Sequence, residues 1–238
     1  MSRLALERVL QSQGFGTRRQ CRQLIAGGQV RVAGTLVEDP AWPVDTAGLH
    51  FEVSGQPWLF REHVYLALNK PANYECSRRP SHHPGILSLL PEALRVRGVQ
   101  PVGRLDHDTT GLVLLSDDGA FIHAQSSPRR KVPKLYVATT QEPVTPALVA
   151  SLLQGVQLHD EPAPLAALRC EQLGPRELAI ELEQGKYHQV KRMLAAAGSH
   201  CAALRRVAIG GLRLEALGLA EGSWCYLDEA GLERLKPA

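Results

Sequence analysis

Positive charge is concentrated at the amino-terminal end of this 238-residue chain. The first 34 residues contain six arginines and one acid, Glu7, whereas the remainder contains 21 basic and 23 acidic residues. Apolar residues recur at helical spacing in this segment, and Thr17 with Gln20 three residues later matches the capping box that begins many helices. A short basic helical unit on a nearly neutral body predicts two parts, the first of which binds a polyanion.

Two helices and a hairpin are predicted for this first part. The helices start near Leu6 and Thr17, glycines follow each of them, and a strand at 30–32 turns at Gly34. Arg18, Arg19 and Arg22 fall on the face opposite the apolar residues. Because acids that would balance this face are missing nearby, we expect it to contact a ligand, with a merely solvated basic face as the alternative.

The pattern changes after residues 41–48, which we interpret as a linker. Strands and helices then alternate along the chain, which is typical of an α+β fold. The predicted domains are residues 1–48, including the linker, and residues 49–238. Within the second domain the predicted strands lie at 65–68, 112–115, 134–140, 178–182 and 204–209, and the predicted helices at 120–125, 145–154 and 188–197.

Composition excludes several classes of protein. The five cysteines are scattered and form no Cys-x-x-Cys pair, which argues against a disulfide framework or a zinc finger and favours a reducing cytoplasm. No apolar run approaches the roughly 18 residues of a membrane span. Neither a glycine-rich phosphate loop nor a dinucleotide fingerprint is present. We therefore expect a cytoplasmic monomer without membrane association, cofactor or metal.

The most informative segment is the polar string at 103–112, which lies between apolar segments. Asp106, His107 and Asp108 are a weak match to a metal site, because no third carboxylate or histidine stands at ligand spacing. Arg104 and the aspartates are also consistent with a structural ion pair in a turn, which is a common outcome for such strings. A third interpretation makes one aspartate a nucleophile or general base, kept ionised by neighbouring cations. The residues alone leave all three interpretations open.

The same string resembles the catalytic motif of pseudouridine synthases. In that family Gly-Arg-Leu-Asp is followed by Thr-x-Gly-Leu and an Asp-Gly turn, a pattern that this chain matches from Gly103 through Gly119. The segments 134–136 and 184–193 resemble two further family motifs, in the same order along the chain. Residues 2–48 resemble the S4 RNA-binding domain. The resemblance implies a catalytic domain with a mixed, mainly antiparallel sheet flanked by helices, preceded by an S4 domain.

The resemblance also implies roles for individual residues. Asp106 matches the catalytic aspartate of a reaction that breaks the bond from ribose C1′ to uracil N1 and remakes it to C5. Lys191 matches the basic residue that pairs with that aspartate, and Arg104 is a second candidate for this ion pair. Tyr136 matches the tyrosine that stacks on a flipped-out base, with an ordinary core aromatic as the alternative. Leu204 is expected to pack against the uracil.

Ribosomal RNA is the partner that the resemblance implies. The segments 155–161 and 76–91 are similar to those of the branch that acts on small-subunit (16S) RNA, so we favour 16S RNA or the assembling 30S subunit. The alternatives are a 23S RNA synthase, a non-catalytic S4-type binding protein, and a metal-dependent nuclease using Asp106 and Asp108. The residues expected to contact RNA are Arg3, Arg18, Arg19, Arg22, Arg129, Arg130, Lys131, Lys134, Lys186 and Arg192.

Overall fold

The computed structural model describes residues 3–127 and 131–236. The chain forms two compact units. The first consists of Met1–Val64 together with Leu90–Val99, and the second of Tyr65–Leu89 together with Gln100–Ala238. No helix of the described residues is long and apolar enough to cross a membrane.

Helices of the first unit follow the sequence pattern closely. The Thr17 side chain accepts a hydrogen bond from the Gln20 backbone, and the Gln20 side chain accepts one from the Thr17 backbone N–H, so the predicted capping box is present. Buried residues of both long helices form the core of the unit, together with Val30, Phe51 and Val53. The helices are α1 (Leu6–Ser12), α2 (Arg18–Ala26) and α3 (Glu92–Val96).

Strands of the first unit extend beyond the predicted domain boundary. Its sheet has the order β3-β2-β5-β6, and a separate pair joins β1 to β4. The strands are β1 (Arg3–Ala5), β2 (Val30–Val32), β3 (Thr35–Leu36), β4 (Pro43–Asp45), β5 (His50–Val53) and β6 (Gln56–Leu59). The interpretation of 41–48 as a linker is therefore wrong, because β4 within it pairs with β1, and the unit continues to Val64 because β5 completes the sheet of β2.

An excursion of the chain, 90–99, also belongs to this unit and was not predicted. Gly14 explains the contact: a Cβ atom there would lie only 1.9 Å from the Ala93 carbonyl oxygen of α3. Its φ of +88° is also a conformation that glycine adopts readily. Arg97 then donates a hydrogen bond to Gln13 Oε1 at 2.9 Å. Glycine at position 14 thus both ends α1 and admits α3.

The second unit is the predicted mixed sheet with helices. Its strand order is β11-β12-β10-β13-β9-β7-β15, with β8 on β9 and β14 on β13, and every pairing is antiparallel except β13 with β9. The strands are β7 (Tyr65–Lys70), β8 (Gln100–Val102), β9 (Thr110–Ser116), β10 (Lys134–Thr140), β11 (Arg169–Gly174), β12 (Glu177–Leu182), β13 (Cys201–Ile209), β14 (Leu212–Arg213) and β15 (Trp224–Tyr226). The helices are α4 (Gly119–Ser126), α5 (Pro146–Gln154), α6 (Gln189–Ala196), α7 (Leu214–Leu217) and α8 (Glu229–Glu233).

The parallel pairing of β9 with β13 brings residues of β13 next to the polar loop that precedes β9. Gly111 is aligned with Arg206 and has a φ of +101°. A Cβ atom at position 111 would stand 2.2 Å from the Arg206 carbonyl oxygen, so only glycine allows the two backbones this approach. The Arg206 Nε–H donates to the Leu112 carbonyl at 2.8 Å across the same junction. The close packing of β9 against β13 therefore explains the glycine in the Thr-x-Gly part of the motif.

Candidate active site

A cavity of about 520 Å³ opens on one face of the large sheet, within the size range of small-molecule sites. The floor is built by alternate residues of neighbouring strands, because side chains at every second strand position share a face. Lys134 and Tyr136 of β10 and Leu204 and Arg206 of β13 contribute to it. The loop 103–109 and the start of α6 supply the walls.

A buried lysine fixes the loop that carries Asp106. The Lys70 side chain, at the end of β7, is fully buried, and its amine donates to the carbonyls of Pro71, His107 and Thr109 at 2.8–2.9 Å. Burial lowers the pKa of this amine below its ordinary value. The sequence predicts a strand that ends at Leu68 and gives Lys70 no role; a lysine so close to an apolar strand was the available signal.

A second contact supports the same loop from the segment after β7. Asn73 has a φ of +62°, in the left-handed region. Asparagine tolerates this left-handed conformation better than most residues. Its backbone N–H donates to the His107 carbonyl at 2.7 Å, and the His107 ring stacks on His83 with centroids 4.5 Å apart. The catalytic loop is thereby held from both sides.

Asp106 lies between two basic side chains at the edge of the cavity. His188 Nε2 is 3.2 Å from one carboxylate oxygen, and Lys191 Nζ is 3.1 Å from the other. The Asp106 side chain keeps 28% of its surface exposed. The carboxylate is therefore oriented by cationic neighbours and still open to a ligand. The predicted pairing with Lys191 is present, whereas His188 was not singled out from the sequence.

Lys191 also holds a second carboxylate. Its amine is 2.7 Å from one oxygen of Asp108 and 2.9 Å from the other. Partial burial opposes the charged forms of both groups, but hydrogen bonds and charge attraction together outweigh it, so the pKa of Asp108 is lowered and that of Lys191 is raised. Lys191 is consequently shared between Asp106 and Asp108 as an ammonium.

The start of α6 is shaped to aim these cations. His188 stands just before the helix in a left-handed conformation with a φ of +47°, which is uncommon outside glycine and enriched for histidine. Lys191 follows three residues later, so both side chains share one side of the turn. The apolar side is anchored by Val190, Met193 and Leu194, all buried. The exposed Tyr187 ring stacks on the His188 ring, with centroids 3.8 Å apart.

Tyr136 and Leu204 both line the cavity and are each 8% exposed. Tyr136 is aligned with Arg206 on the neighbouring strand β13, so the guanidinium shares a sheet face with the predicted stacking ring. Arg206 itself is 4% exposed; the sequence placed it in a basic cluster on the expected RNA path and not at the target base.

The expected ion pair of Arg104 with Asp106 is absent among the described residues. The Arg104 side chain is exposed and lines the cavity without an acidic partner within 4 Å in the described parts of the chain. The reason is that Lys191 and His188 already occupy both carboxylate oxygens. Arg104 therefore remains a cavity-lining cation and not a member of the ion pair.

Several cations that were expected to contact RNA have acidic partners within the fold. Lys131 lies 3.5 Å from Glu183, Lys186 lies 2.9 Å from Glu161, and Arg192 lies 3.2 Å from Asp160. Lys134 has no acidic partner among the described residues. Arg129 and Arg130 lie outside the described residues.

The arginine face of α2 also has an acidic partner within the fold. The expectation from the sequence that no balancing acid lies nearby is therefore wrong. Arg18 and Arg22 both form ion pairs with Glu7 of α1, the Arg18 Nε–H donating at 2.8 Å. Arg22 and Arg18 together hold the pKa of Glu7 at about 2. Both guanidiniums remain about half exposed, and Arg3 and Arg19 are exposed as well.

The described residues do not support the interpretation of Asp106, His107 and Asp108 as a metal site. No group of three or more histidine, cysteine, aspartate or glutamate side chains in the described chain is arranged to hold a metal ion. All five cysteines are free.

Comparisons with known proteins identify the family of the chain. The family described as RNA pseudouridylate synthase matches residues 64–196, and the S4 domain matches residues 6–48. Ribosomal small subunit pseudouridine synthase A of Escherichia coli is 38% identical over 211 residues, which cover 86% of this chain and 88% of that protein. An uncharacterized RNA pseudouridine synthase of Bacillus subtilis is 31% identical and covers 98% of both chains.

A solved structure extends the agreement to the fold. A crystal structure described as pseudouridylate synthase superposes with a TM-score of 0.68 at 31% identity and covers 98% of this chain and 99% of that chain. The matches span both the basic first unit and the cavity-bearing second unit. The chain is therefore a member of the RNA pseudouridine synthase family, an isomerase with an S4 RNA-binding domain at its amino-terminal end.

Proposed function

We propose that this enzyme converts a specific uridine of small-subunit (16S) ribosomal RNA to pseudouridine in the cytoplasm, acting on the RNA or on the assembling 30S subunit. The observation that carries this proposal is a ligand-accessible carboxylate, Asp106, oriented by His188 and Lys191 beside a cavity of nucleoside size. Its small-subunit part rests on the relatives named for that RNA, which match 86% or more of this chain.

Asp106 is the proposed catalytic residue. Cleavage of the C1′–N1 bond leaves the sugar short of electrons, and an ionised carboxylate serves either as the nucleophile at C1′ or as the base that removes a sugar proton. The basic side chains of Lys191 and His188 lie against opposite oxygens of Asp106, which keeps the carboxylate oriented. Both routes require the target nucleotide to leave its stack before C1′ can be reached.

Tyr136 and Leu204 are the proposed contacts to the flipped base. The ring of Tyr136 offers a stacking surface, and base–aromatic stacking contributes about 1–3 kcal/mol in other nucleic-acid complexes. Leu204 lies on the neighbouring strand of the cavity floor and supplies an apolar contact. The S4 unit, with Arg3, Arg18, Arg19 and Arg22, is proposed to bind RNA phosphates together with Lys131, Lys186 and Arg192, whereas Lys134 contacts the RNA within the cavity.

Tritium release from RNA labelled at uracil C5 tests this function, because formation of the carbon–carbon bond expels that hydrogen. The substrates are 16S transcripts, 23S transcripts and partly assembled 30S particles, and Asp106→Asn is the matched control. We expect release only from 16S RNA or 30S particles and none with the variant. Release from 23S RNA alone would keep the chemistry and reject the substrate. Tight RNA binding without release from any substrate would reject catalysis.

A further inference from the structure

Beside the exposed Arg104, the cavity contains two further cations, Lys134 and Arg206, for which the described fold supplies no acid. Acids pair with Lys131, Lys186 and Lys191, whereas Lys134 and Arg206 have no acidic partner within 4 Å among the described residues. Arg206 is 4% exposed, and its Nη2 atom has no hydrogen-bond partner in the protein. A buried donor without a partner is costly, so such a group in a functional site indicates a bound acceptor.

All three buried side-chain polar atoms that lack a partner among the described residues line this one cavity. They belong to Thr109, Gln125 and Arg206. Their shared location argues that the cavity, rather than chance packing, accounts for them. Burial lowers the pKa of the Lys134 amine, and the Arg206 guanidinium lowers it further, so two like charges are held close together without compensation. A negatively charged ligand would relieve this repulsion.

The positions of these two cations favour the base over a phosphate as that ligand. Lys134 stands two residues before Tyr136 on the same face of β10, and Arg206 is aligned directly with Tyr136 on β13. Directly opposed residues on neighbouring strands have Cβ atoms only about 4.5–5.5 Å apart. A base stacked on the Tyr136 ring would therefore have a cation at its edge.

We propose that Arg206 and Lys134 stabilise the negative charge of the uracil while it is detached from the ribose. This inference rests on the proposed function. When the C1′–N1 bond breaks, its electron pair stays on N1 and spreads to O2 and O4 of the ring. C5 then attacks C1′, the C5 proton leaves, and N1 takes up a proton, so the overall reaction is an isomerisation without net gain or loss.

This arrangement would act on the rate more than on binding. The uracil is neutral in the bound RNA and anionic only after the bond breaks, so fixed cations at its edge interact more strongly with the detached base. The same donors also hold the base while it turns from N1 to C5. Arg206 is positioned for this by its Nε–H, which donates to Leu112 and leaves Nη2 for the ligand.

The test compares two leaving groups in single-turnover reactions with enzyme in excess. One RNA carries uridine at the target, and the other carries 5-fluorouridine, whose ring anion is more stable because fluorine withdraws electrons. Loss of the parent nucleoside is followed by chromatography after digestion of the RNA. Arg206→Gln and Lys134→Met are compared with wild type and with Arg169→Gln, which removes an exposed charge paired with Glu171.

Arg206→Gln is expected to lower the rate on uridine about 100-fold, the size of losing one donor to a developing anion. With 5-fluorouridine, the ratio of the wild-type rate to the variant rate should be several-fold smaller than with uridine. The Kd for RNA should change little. Lys134→Met should show the same pattern and keeps the test valid if the Arg206 variant fails to fold. Equal deficits on both substrates, or a loss confined to Kd, would overturn the proposal. An inactive wild type would instead reject the proposed function.

Discussion

Glu7 in the first unit and Asp106 in the second are each contacted by two basic side chains, but the two carboxylates differ in how far a ligand can reach them. The Glu7 side chain is only 4% exposed, and its partners Arg18 and Arg22 close over it while staying about half exposed themselves. The Asp106 side chain is 28% exposed and faces a cavity. The Glu7 carboxylate is therefore shielded by its partners, whereas the Asp106 carboxylate is accessible to a ligand.

The cations differ in the same way. Arginine partners of Glu7 come from one helix and join it to another, so the cluster links α1 to α2. Lys191 is divided between Asp106 and Asp108 and joins α6 to the catalytic loop. An ion pair that links two helices contributes to folding, whereas a charge shared over an open carboxylate contributes to positioning. Similar residue chemistry is therefore expected to give opposite responses to substitution.

The largest effect is expected from Lys191→Met. Without the ammonium, Asp106 loses one of its two partners and Asp108 loses the cation with which it forms an ion pair. We expect the single-turnover rate to fall about 10²–10³-fold, as for the loss of a preorganised charge partner, with little change in melting temperature. Tritium release and thermal melting measure the two quantities. A variant that unfolds while retaining its rate per folded molecule would assign this cluster a structural role like that of Glu7.

Lys70→Met should lower both the stability of the fold and the catalytic rate. Substitution of a cation that faces the cavity should change the rate alone. Its amine satisfies three backbone carbonyls, and leaving buried acceptors without a donor costs about 1–3 kcal/mol of unfolding free energy. The rate should fall as well because the loop carrying Asp106 loses its support. Denaturant unfolding and single-turnover rates are the measurements. Lys134→Met is the matched control, and only its rate should change.

Asp108→Asn is expected to have a smaller effect, about tenfold on the single-turnover rate. The side chain is half exposed, and Lys191 keeps its contact with Asp106, so the loss is one of orientation rather than of charge at the reacting carboxylate. The result is compared with Asp106→Asn under the same conditions. If the two variants are equally inactive, the roles assigned to the two aspartates must be shared or exchanged.

Much of this architecture can be predicted from the sequence, because local signals agree with the fold. Strand β10 has the bounds that the alternation gives, and the capping box at Thr17 is formed. The Gly-Arg-Leu-Asp string identifies Asp106 because it combines a family pattern with charges in an exposed loop. Agreement among local signals of this kind makes a sequence easy to interpret.

What could not be predicted depends on distant partners. The pairing of Glu7 with Arg18 and Arg22 joins residues 11 and 15 positions apart in two helices whose packing is not visible in the sequence. The Arg206 and Gly111 contact joins β13 to β9 across 95 positions. His188 was missed because its role depends on a left-handed backbone conformation. Each omission concerns a contact that tertiary structure creates.

The smallest expected effect is the pH dependence of Glu7→Gln, and it tests the structural side of the comparison. In the folded protein the pKa of Glu7 is about 2, below the ordinary value of 4.5, so its contribution to stability is complete above about pH 4.5 and is lost as the pH falls toward about 2. The variant should therefore melt at a lower temperature than wild type at pH 7. This difference in melting temperature should become smaller at acidic pH. Hydrogen exchange of α1 and α2 at pH 7 and pH 3 locates the change, and Glu52→Gln controls for the lost charge. Because neither Glu7 nor its two arginine partners line the cavity, turnover by the folded variant should stay close to that of wild type. A gap that is constant over this pH range would mean that Glu7 acts through packing and not through its ion pairs.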